Sequence, residues 1–471
     1  MFDTPQAIRG GGAGRRRAQR ARAKIGAVLA CALGAAPFAA SALPVIPQGS
    51  GFGIDTPAGR GGQVYRVTNL NESGPGSLHA CVAASGPRVC VFEVSGAIRL
   101  TKDLHIWNPN ITIAGQTAPS PGIMLRGAAL NINASNVLVQ HISIRVGDDP
   151  VGPAFVNRDA LKIESATPIK NIVVDHCSLT WALDETVAVW DAWDNVTLSN
   201  NIIAEGLYEK ADGKQSGYGL LLGQDGGGRA TVVGNLLAHN RARNPLNRSH
   251  SSVFVNNIVY NAGGQSATFQ SMNGVVTQNT IVGNVFIRGA DTIHDTPVNV
   301  STGAEEYPLP LTSKLYLADN VGFDSASGGD WSIATSGLPA SIKAALPPIW
   351  PAGLTRLSTD DNVAFNQVLK FTGSRPAARD PVDARIVKSV RDRTGRIINC
   401  VSANGTARCN RNAGGWPAMA QNRRALSLPE GHNDVTPSGY TKLEIWLHQM
   451  AAQVEGRSAP IPEPPVLAIR R

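Results

Sequence analysis

The stretch Asn195-Val196-Thr197-Leu198-Ser199-Asn200-Asn201 is one copy of a pattern that recurs through the middle of the chain. Short apolar runs of the same kind begin at positions 110, 136, 171, 195, 230, 252 and 274. Aligning these runs gives one column at steps of 24, 34, 22 and 22 residues, made of Cys177, Asn201, Asn235, Asn257 and Asn279. The preceding column contains His141, His176 and Asn200.

A step of about 22 residues with short strands and Gly/Asn turns is typical of one coil of a parallel β-helix, in which stacked coils share a continuous core. Asparagine tolerates the left-handed backbone of a sharp corner, and stacked amides can hydrogen-bond along the column. A β-sandwich would not keep an asparagine column at regular spacing. The sequence therefore predicts an all-β parallel β-helix, with loops inserted at 136–171 and 201–235 that build the binding face.

The flanking segments predict a few helices and four regions. Ser77 is expected to cap a short helix at 78–84 that covers the open end of the coils, and strands are expected at 64–67 and 89–94. The repeat fades after residue 320. Further helices are predicted at 381–390, where Asp380 precedes a proline at the first helical position, and at 440–452. The expected regions are a signal peptide (1–42), an N-terminal arm (43–60), a catalytic β-helix (61–321) and a C-terminal segment packed on it (322–471).

The charge distribution argues against a nucleic-acid partner. Of the net charge of +8, +6 lies in residues 1–42 and only +2 in the remainder. The N-terminal segment combines arginines, an apolar run at 25–40 and the sequence Ala40-Ser41-Ala42, which predicts a cleaved secretory signal. No later stretch is long and apolar enough to cross a membrane. The expected protein is a secreted monomer, in the periplasm or in the medium.

The cysteines agree with export. Cys81 and Cys90 lie nine residues apart, as do Cys400 and Cys409, and two local disulfides are predicted in an oxidising compartment. Cys177 lies in an apolar strand pattern and is expected to be a buried, inert thiol.

The stretch from Asp159 to Arg248 brings together acids, a lysine and two arginines within a few short strands. It contains Asp159-Ala160-Leu161, Asp175-His176 and Asp184-Glu185, and it ends with Arg243-Asn244-Pro245-Leu246-Asn247-Arg248. This combination suits a site that binds a polyanion and removes a proton from it. His176, at a coil corner, is expected to stack rather than to act as a ligand or a base.

These motifs resemble those of a known family of β-helix enzymes. Arg243-x-Pro245-x-x-Arg248, with Asp159-Ala160-Leu161 and Asp175-His176 upstream, resembles the pectate lyase family within the pectate/pectin lyase superfamily. The segments 69–78 and 113–119 are also similar to that family, and the resemblance covers roughly residues 60–400.

The resemblance implies a right-handed parallel β-helix that cleaves α-1,4-polygalacturonate by β-elimination, with Ca²⁺ as cofactor. Arg243 would be the base. Asp159, Asp184 and Glu185 would bind Ca²⁺, with Asn157 as the alternative to Glu185. The residues that would bind substrate carboxylates are Arg248 and Lys214, with Lys210 as the alternative to Lys214.

One departure from the family pattern concerns the metal. The family commonly has a further acidic ligand where this chain has Ala188, which leaves the calcium stoichiometry open. Trp181, Trp190 and Trp193 either line the cleft, as in the pectin lyase branch, or pack the side of the helix. The alternatives are a pectin lyase that acts on methylated pectin without calcium, a polygalacturonase-type hydrolase and a non-enzymatic glycan-binding β-helix.

Overall fold

The fold consists almost entirely of short parallel strands, followed by three helices near the end of the chain. A computed structural model describes residues 43–153, 157–208, 215–223, 227–323, 329–403 and 409–458. The predicted signal peptide, Lys210, Lys214 and residues 459–471 lie outside these residues. Among the described residues, no helix combines the length and apolar character that crossing a bilayer requires.

The strands are β1 (Gln63–Val67), β2 (Arg88–Phe92), β3 (Gly96–Arg99), β4 (Leu104–Ile106), β5 (Ile111–Ala114), β6 (Ile123–Arg126), β7 (Leu130–Ile132), β8 (Val137–Gln140), β9 (Ile142–Arg145), β10 (Leu161–Asp175), β11 (Ser178–Thr180), β12 (Glu185–Ser199), β13 (Ile202–Ala204), β14 (Tyr218–Leu222), β15 (Arg229–Val233), β16 (Leu236–Ala238), β17 (Leu246–Asn247), β18 (Ser251–Val255), β19 (Ile258–Tyr260), β20 (Ala267–Phe269), β21 (Gln278–Val282), β22 (Val285–Ile287), β23 (Val298–Val300) and β24 (Lys314–Ala318). The α-helices are α1 (Leu78–Ala83), α2 (Val363–Phe371), α3 (Pro381–Asp392) and α4 (Lys442–Glu455).

The parallel pairings arrange these strands in three faces of a right-handed parallel β-helix. Face A contains β1, β2, β5, β8, the second halves of β10 and β12, β15, β18, β21 and β24. Face B contains β4, β7, the first halves of β10 and β12, β14, β17, β20 and β23. Face C contains β3, β6, β9, β11, β13, β16, β19 and β22. The fold predicted from the repeat is confirmed.

The long strands β10 and β12 belong to two faces because they bend. Their pairing shifts register between Ser165 and Ile169, so that each strand runs along face B and then along face A. The chain thus passes from A to C to B and back to A in each coil. Alternate side chains point inward, and Val174, Leu198 and Val232 stack in the shared core. Each such side chain contributes roughly 1.5–3 kcal/mol through burial.

The corner between faces A and C is tight and carries the predicted asparagine column. The Asn201 amide donates to the Asn235 Oδ1 (3.0 Å), and Asn235 donates in the same way to Asn257 (3.0 Å). The column then continues through Asn284 (3.0 Å) and Asn320 (2.9 Å).

The prediction of Asn279 as the next member of this column is therefore wrong. Strand β21 begins at Gln278 rather than at Gly274, and Val282 pairs with Val255. The side-chain oxygen of Asn279 instead accepts hydrogen bonds from Asn247 and from Ser252.

A second asparagine ladder, which the sequence analysis did not identify, precedes face A. It links Asn110, Asn136, Asn171 and Asn195 through amide contacts of 2.9–3.1 Å. All four residues have φ between 57° and 62°. The ladder therefore satisfies side-chain amides at a corner where the backbone is left-handed.

The helices form close to their predicted positions for local reasons. Ser77 caps α1 by accepting from the Ala80 N–H (3.2 Å), and Asp380 caps α3 ahead of Pro381. Thr441 and Glu444 form a reciprocal capping box at the start of α4. Helix α2 was not predicted.

Faces A and C are covered by the rest of the chain. The outer side of face C packs against α2 and α3, for example through Leu369 and Ile386. The outer side of face A packs against the arm, against α4 through Leu447, and against the segment around Trp350. No comparable apolar layer of the described residues covers face B. Face B is therefore the long surface available to a ligand.

Both predicted disulfides are present, Cys81–Cys90 beside α1 and Cys400–Cys409 in the C-terminal segment. Cys177 is free and fully buried, as predicted, and burial raises the pKa of its thiol to about 12, which disfavours the reactive thiolate.

Candidate active site

The candidate site lies where the chain enters face B from face C. Three successive coils meet there in register, because Leu161 pairs with Val187 and Glu185 pairs with Tyr218. The next coil supplies the segment from Ala242, which bridges to Tyr218. Side chains that are 26 to about 80 residues apart in sequence are thereby stacked side by side.

The predicted acidic residues form one cluster. Asp159, Asp184 and Glu185 each offer a carboxylate oxygen, and these oxygens lie within 4.8 Å of one another. Asp159 is 4% exposed and its Oδ1 accepts the backbone N–H of Glu185 (3.1 Å). This bond fixes the turn before β10 against the start of β12.

The electrostatics of this cluster are unfavourable without an added cation. Burial raises the pKa of Asp159; with Lys162 opposing this effect and the neighbouring Asp184 carboxylate adding to it, the pKa of Asp159 is about 8. A hard cation with oxygen ligands would relieve this repulsion, since carboxylates are the donors that Ca²⁺ prefers. The donor set therefore fits a calcium ion.

Arg243 joins the acidic cluster directly. Its guanidinium forms an ion pair with the Glu185 carboxylate and lies over the ring of Tyr218, 3.9 Å from the ring centroid. Burial lowers the pKa of Arg243, and the nearby Arg248 lowers it further, whereas Asp184 raises it. The sequence predicted that Arg243 and Glu185 share a site. It did not predict their ion pair, because the separation of two residues in sequence does not show which coils bring them into contact.

A close backbone approach holds Arg243 in place. Its φ is 62°, it precedes a cis Asn244–Pro245 bond, and its carbonyl accepts the Leu220 N–H (2.6 Å). A Cβ on Gly219 would lie 2.6 Å from that carbonyl oxygen, so only glycine fits beneath it. The turn is thus built to present one arginine on face B.

Arg248 lies on the same coil and the same face as Arg243, five residues further along and just after β17. Its guanidinium lies 4.2 Å from the Tyr307 ring centroid, and its Nε donates to Gln270 Oε1 (3.0 Å). Burial lowers the pKa of Arg248. The sequence-based prediction did not include the two tyrosines that lie beneath these arginines. Tyrosines are scarce in this aromatic-poor chain, and their scarcity was the signal that could have indicated them.

Arg241 is a third cation of this surface that the sequence analysis missed. It lies between Tyr208 and Tyr218, 5.8 and 5.9 Å from their ring centroids. Together the three arginines form a basic strip, Arg241, Arg243 and Arg248, which suits a ligand with repeated carboxylates.

Lys162 occupies the position next to Ala188. The two residues pair across β10 and β12, and the ammonium group lies 3.6 Å from Asp159 Oδ2. It also donates to the Asn157 carbonyl (2.9 Å). A cation of the protein itself therefore lies beside the place where the further acidic ligand is absent.

The three tryptophans divide between the two expected roles. Trp181 is fully buried and its Nε1 donates to Glu205 (3.0 Å) on the side of the helix. Trp193 is also buried and donates to the Gly223 carbonyl (3.3 Å). Trp190 is half-buried on face B, over Gly223.

Comparison with known proteins bears on this site. No family model matches the chain. A probable pectate lyase C of Aspergillus flavus is 31% identical over 430 residues, covering 87% of this chain and 94% of that protein. A probable pectate lyase C of Neosartorya fischeri is 30% identical over 441 residues, covering 91% and 98%. Among solved structures, Jun a 1, the major allergen from cedar pollen, superposes with a TM-score of 0.52 at 19% identity, covering 68% of this chain and 91% of that chain. The structural likeness supports the fold.

The β-helix and this similarity over most of the chain define a polysaccharide lyase. The chain belongs to the pectate lyase family.

Proposed function

We propose that this enzyme cleaves α-1,4-polygalacturonate by calcium-assisted β-elimination and releases 4,5-unsaturated oligogalacturonides. The observation that carries the proposal is the contact of Arg243 with the carboxylate cluster on the uncovered face. A cation that can approach a sugar carbon, next to acids that fit a metal, matches the needs of proton removal beside a carboxylate. The names of the curated relatives point to the same substrate.

The reaction breaks two bonds and forms one double bond. The C5–H proton leaves to the base, the C4–O4 glycosidic bond breaks, and the electron pair forms C4=C5. The O4 leaving group takes a proton from water. Negative charge builds on the C6 carboxylate as C5 loses its proton, so positive charge close to that carboxylate lowers the barrier.

Asp159, Asp184 and Glu185 would hold Ca²⁺, which when bound neutralises protein and substrate carboxylates together. Arg243 is the proposed base. A guanidinium is an unusual base because it holds its proton tightly. Its burial and the proximity of Arg248 both lower its pKa, which supports this role.

Arg243 must leave the Glu185 carboxylate before it can accept a proton from the sugar. The same carboxylate is a proposed metal ligand, so metal binding and release of the arginine are coupled through Glu185. Arg248 and Arg241 would bind substrate carboxylates along face B. The same role for Lys214 stays a prediction, since Lys214 lies outside the described residues.

A second candidate function is cleavage of methylated pectin without calcium. The observation that favours it is Lys162, whose ammonium lies 3.6 Å from Asp159 beside Ala188. A fixed ammonium provides part of the positive charge that calcium would supply, and a methyl ester carries less charge to neutralise.

The export of the protein is part of the proposal. Two disulfides are typical of an oxidising compartment, and a cleaved signal at 1–42 would deliver the chain there. A monomeric state and the four predicted regions also stay predictions.

The test follows ultraviolet absorbance of the unsaturated uronide during incubation with polygalacturonate, with Ca²⁺ or with EGTA. Wild type is compared with Arg243→Ala and with Arg241→Ala as the matched control on the same strip. We expect product formation to need Ca²⁺ and to fall about 1000-fold in Arg243→Ala, but less than 10-fold in Arg241→Ala.

Equal losses in the two variants would reject Arg243 as the base. Faster release from methylated pectin, unaffected by EGTA, would favour the second function. New reducing ends without the unsaturated chromophore would reject elimination and support hydrolysis.

A further inference from the structure

A second polar cluster lies at the tight corner between faces A and C, at the far end of β10 from Asp159. His141 and His176 follow β8 and β10 there, with φ of 57° and 48°. They are 0% and 3% exposed, and their rings stack 5.1 Å apart with an interplanar angle of 16°. The expected stacking of His176 is confirmed, and it leaves the outer nitrogens of both rings side by side.

The inner nitrogen of each ring has a fixed acceptor. His141 Nδ1 donates to the Ser374 carbonyl (2.9 Å), which can only accept, so the proton is on Nδ1. His176 Nδ1 donates to Asp175 Oδ2 (2.8 Å). In the neutral rings both Nε2 atoms therefore carry a lone pair.

Asp175 is itself held as an ionised acceptor. It accepts from Ser199 (2.7 Å), Gln140 (3.0 Å) and Asn200 (3.1 Å). A carboxylate behind a histidine in this manner is the usual outer partner of a metal-binding imidazole.

The Nε2 atoms of His141 and His176 are buried and have no hydrogen-bond partner within the part of the chain that the structure describes. Both face Glu455, the last residue of α4, whose carboxylate oxygens lie 3.4 and 3.7 Å away. One ligand atom from each of the three side chains lies within 4.8 Å of the others. Arg457 also approaches the Glu455 carboxylate (3.4 Å) and competes with an ion for it.

These separations fit an ion better than a direct bond. A charge-assisted hydrogen bond from an imidazolium would measure about 2.7–2.9 Å. Two ligands about 2.0–2.1 Å from a tetrahedral zinc lie about 3.3 Å apart. The observed 3.4 and 3.7 Å are nearer to the second value.

A cavity of about 400 Å³ adjoins the cluster and is lined by His176, Glu455 and His448, among others. It offers room for water to complete a four-coordinate site.

We propose that His141, His176 and Glu455 bind a divalent transition metal of the zinc type, with water as the fourth ligand. Two imidazoles and one carboxylate are a donor set that zinc takes, and nitrogen donors disfavour calcium. The ion joins the two histidine turns of the β-helix to the end of α4. It is separate from the carboxylate cluster of face B and is a structural site.

The test titrates Zn²⁺ alone into the chelator-treated full chain by isothermal calorimetry. We expect one tight equivalent in wild type. Affinity for that equivalent should fall at least about 100-fold in Glu455→Gln and in His141→Gln. His448→Gln is the matched control, because it removes a histidine from the same cavity without touching the proposed ligands, and it should bind as wild type does.

Two further measurements keep the test decisive. Replacement of Zn²⁺ by Co²⁺ should give visible absorption of tetrahedral type in wild type and in His448→Gln only. Zn²⁺ should also raise the Tm of these two proteins and not that of Glu455→Gln, a change at the end of a helix that leaves the strands intact.

Absence of a tight equivalent in wild type, or equal Zn²⁺ affinity in wild type and Glu455→Gln, would overturn the proposal and leave an imidazolium–carboxylate cluster. An excess of Ca²⁺ that displaces Zn²⁺ would also overturn it.

Discussion

Two corners of the β-helix differ in what their side chains do. The tight corner lies between faces A and C, and the wide corner, which carries the candidate site, lies between faces C and B. At the tight corner the chain turns through one or two residues, and side chains such as Asn235 satisfy the backbone of the neighbouring coils. At the wide corner, where loops enter face B, contacts of a similar kind hold charged residues: Asp159 accepts the Glu185 N–H, and the Arg243 carbonyl accepts a backbone N–H of the preceding coil. It follows that the uncharged amides of the tight corner stabilise the solenoid, whereas the contacts of the wide corner hold together charge that the fold alone would disfavour.

The sharpest way to test this contrast is to remove a charge at the wide corner. In Asp159→Asn we expect polygalacturonate cleavage to fall by about 100- to 1000-fold, because a proposed metal ligand is lost. The amide oxygen can still accept the Glu185 N–H, so the turn should persist. Initial rates of chromophore release measure the loss, and Asp191→Asn, on an acid of β12 outside the cluster, serves as the control.

Asp159→Asn, which should lower activity, should raise the stability of the calcium-free protein at neutral pH. The pKa of Asp159 is raised to about 8, above its value in the unfolded chain near 4. The native state therefore holds a proton that the unfolded state has released, and stability falls as the pH rises from about 4 to 8. Without calcium, Asp159→Asn should reduce this fall in denaturant titrations. An unchanged pH dependence would contradict the charge argument.

A substitution at the tight corner should lower stability and leave activity unchanged. Asn235 is fully buried, accepts from Asn201 and donates to the Leu198 carbonyl (2.9 Å) and to Asn257. Asn235→Ala leaves these groups unpaired and should cost about 3 kcal/mol in the free energy of unfolding, measured by urea denaturation. Activity per folded molecule should not change. A loss no larger than that of the exposed Asn71→Ala would show that the ladder is not a source of stability.

A third test concerns the cover on face A rather than a corner. His448 on α4 is buried, donates to the Val45 carbonyl (3.2 Å) and packs against Tyr440. Burial lowers the pKa of His448; the Val45 hydrogen bond and Glu444 oppose this effect, Arg60 adds to it, and the pKa is about 4.

Because the unfolded chain binds the His448 proton near pH 6.5, stability should be lost as the pH falls from about 6.5 to 4. The loss at pH 5 is about 2 kcal/mol. His448→Gln should remove that part of the acid sensitivity, and His432→Gln, on a more exposed histidine, should not. Urea midpoints at pH 7 and pH 5 provide the comparison.

The repeat made the fold predictable because one conformational demand recurs in each coil. Asn201, Asn235 and Asn257 are in register because the amide ladder selects asparagine. The left-handed backbone falls one residue earlier in each coil, at Asn200, Gly234 and Asn256. Prediction failed at Asn279 because the preceding loop lengthens the coil by a few residues, and spacing alone cannot distinguish a loop residue from the start of a strand.

The sequence predicted which candidate residues would lie together, but it did not predict their contacts. The arginine motif and the acids identified Arg243, Asp159 and Glu185, but the stacking of distant coils pairs Arg243 with Glu185. Register likewise places Lys162 beside Ala188, which no local pattern encodes.

The pairing of Lys162 with Ala188 provides the last test of the wide corner, and the expected effect is the smallest. Ala188→Asp adds a carboxylate on face B, next to Lys162 and close to the acidic cluster. We expect the Ca²⁺ concentration for half-maximal cleavage to fall several-fold, about 1 kcal/mol of binding free energy, because the cluster gains an oxygen ligand. Ala188→Asn, which adds an amide of the same size without charge, should give less than half of that change.

If Ala188→Asp instead weakens Ca²⁺ binding while Lys162→Met restores it, the new carboxylate forms an ion pair with Lys162 and does not bind the metal. The ammonium would then be the cation that this corner uses in place of a fully coordinated metal, and the preference for methylated pectin would become the expected result.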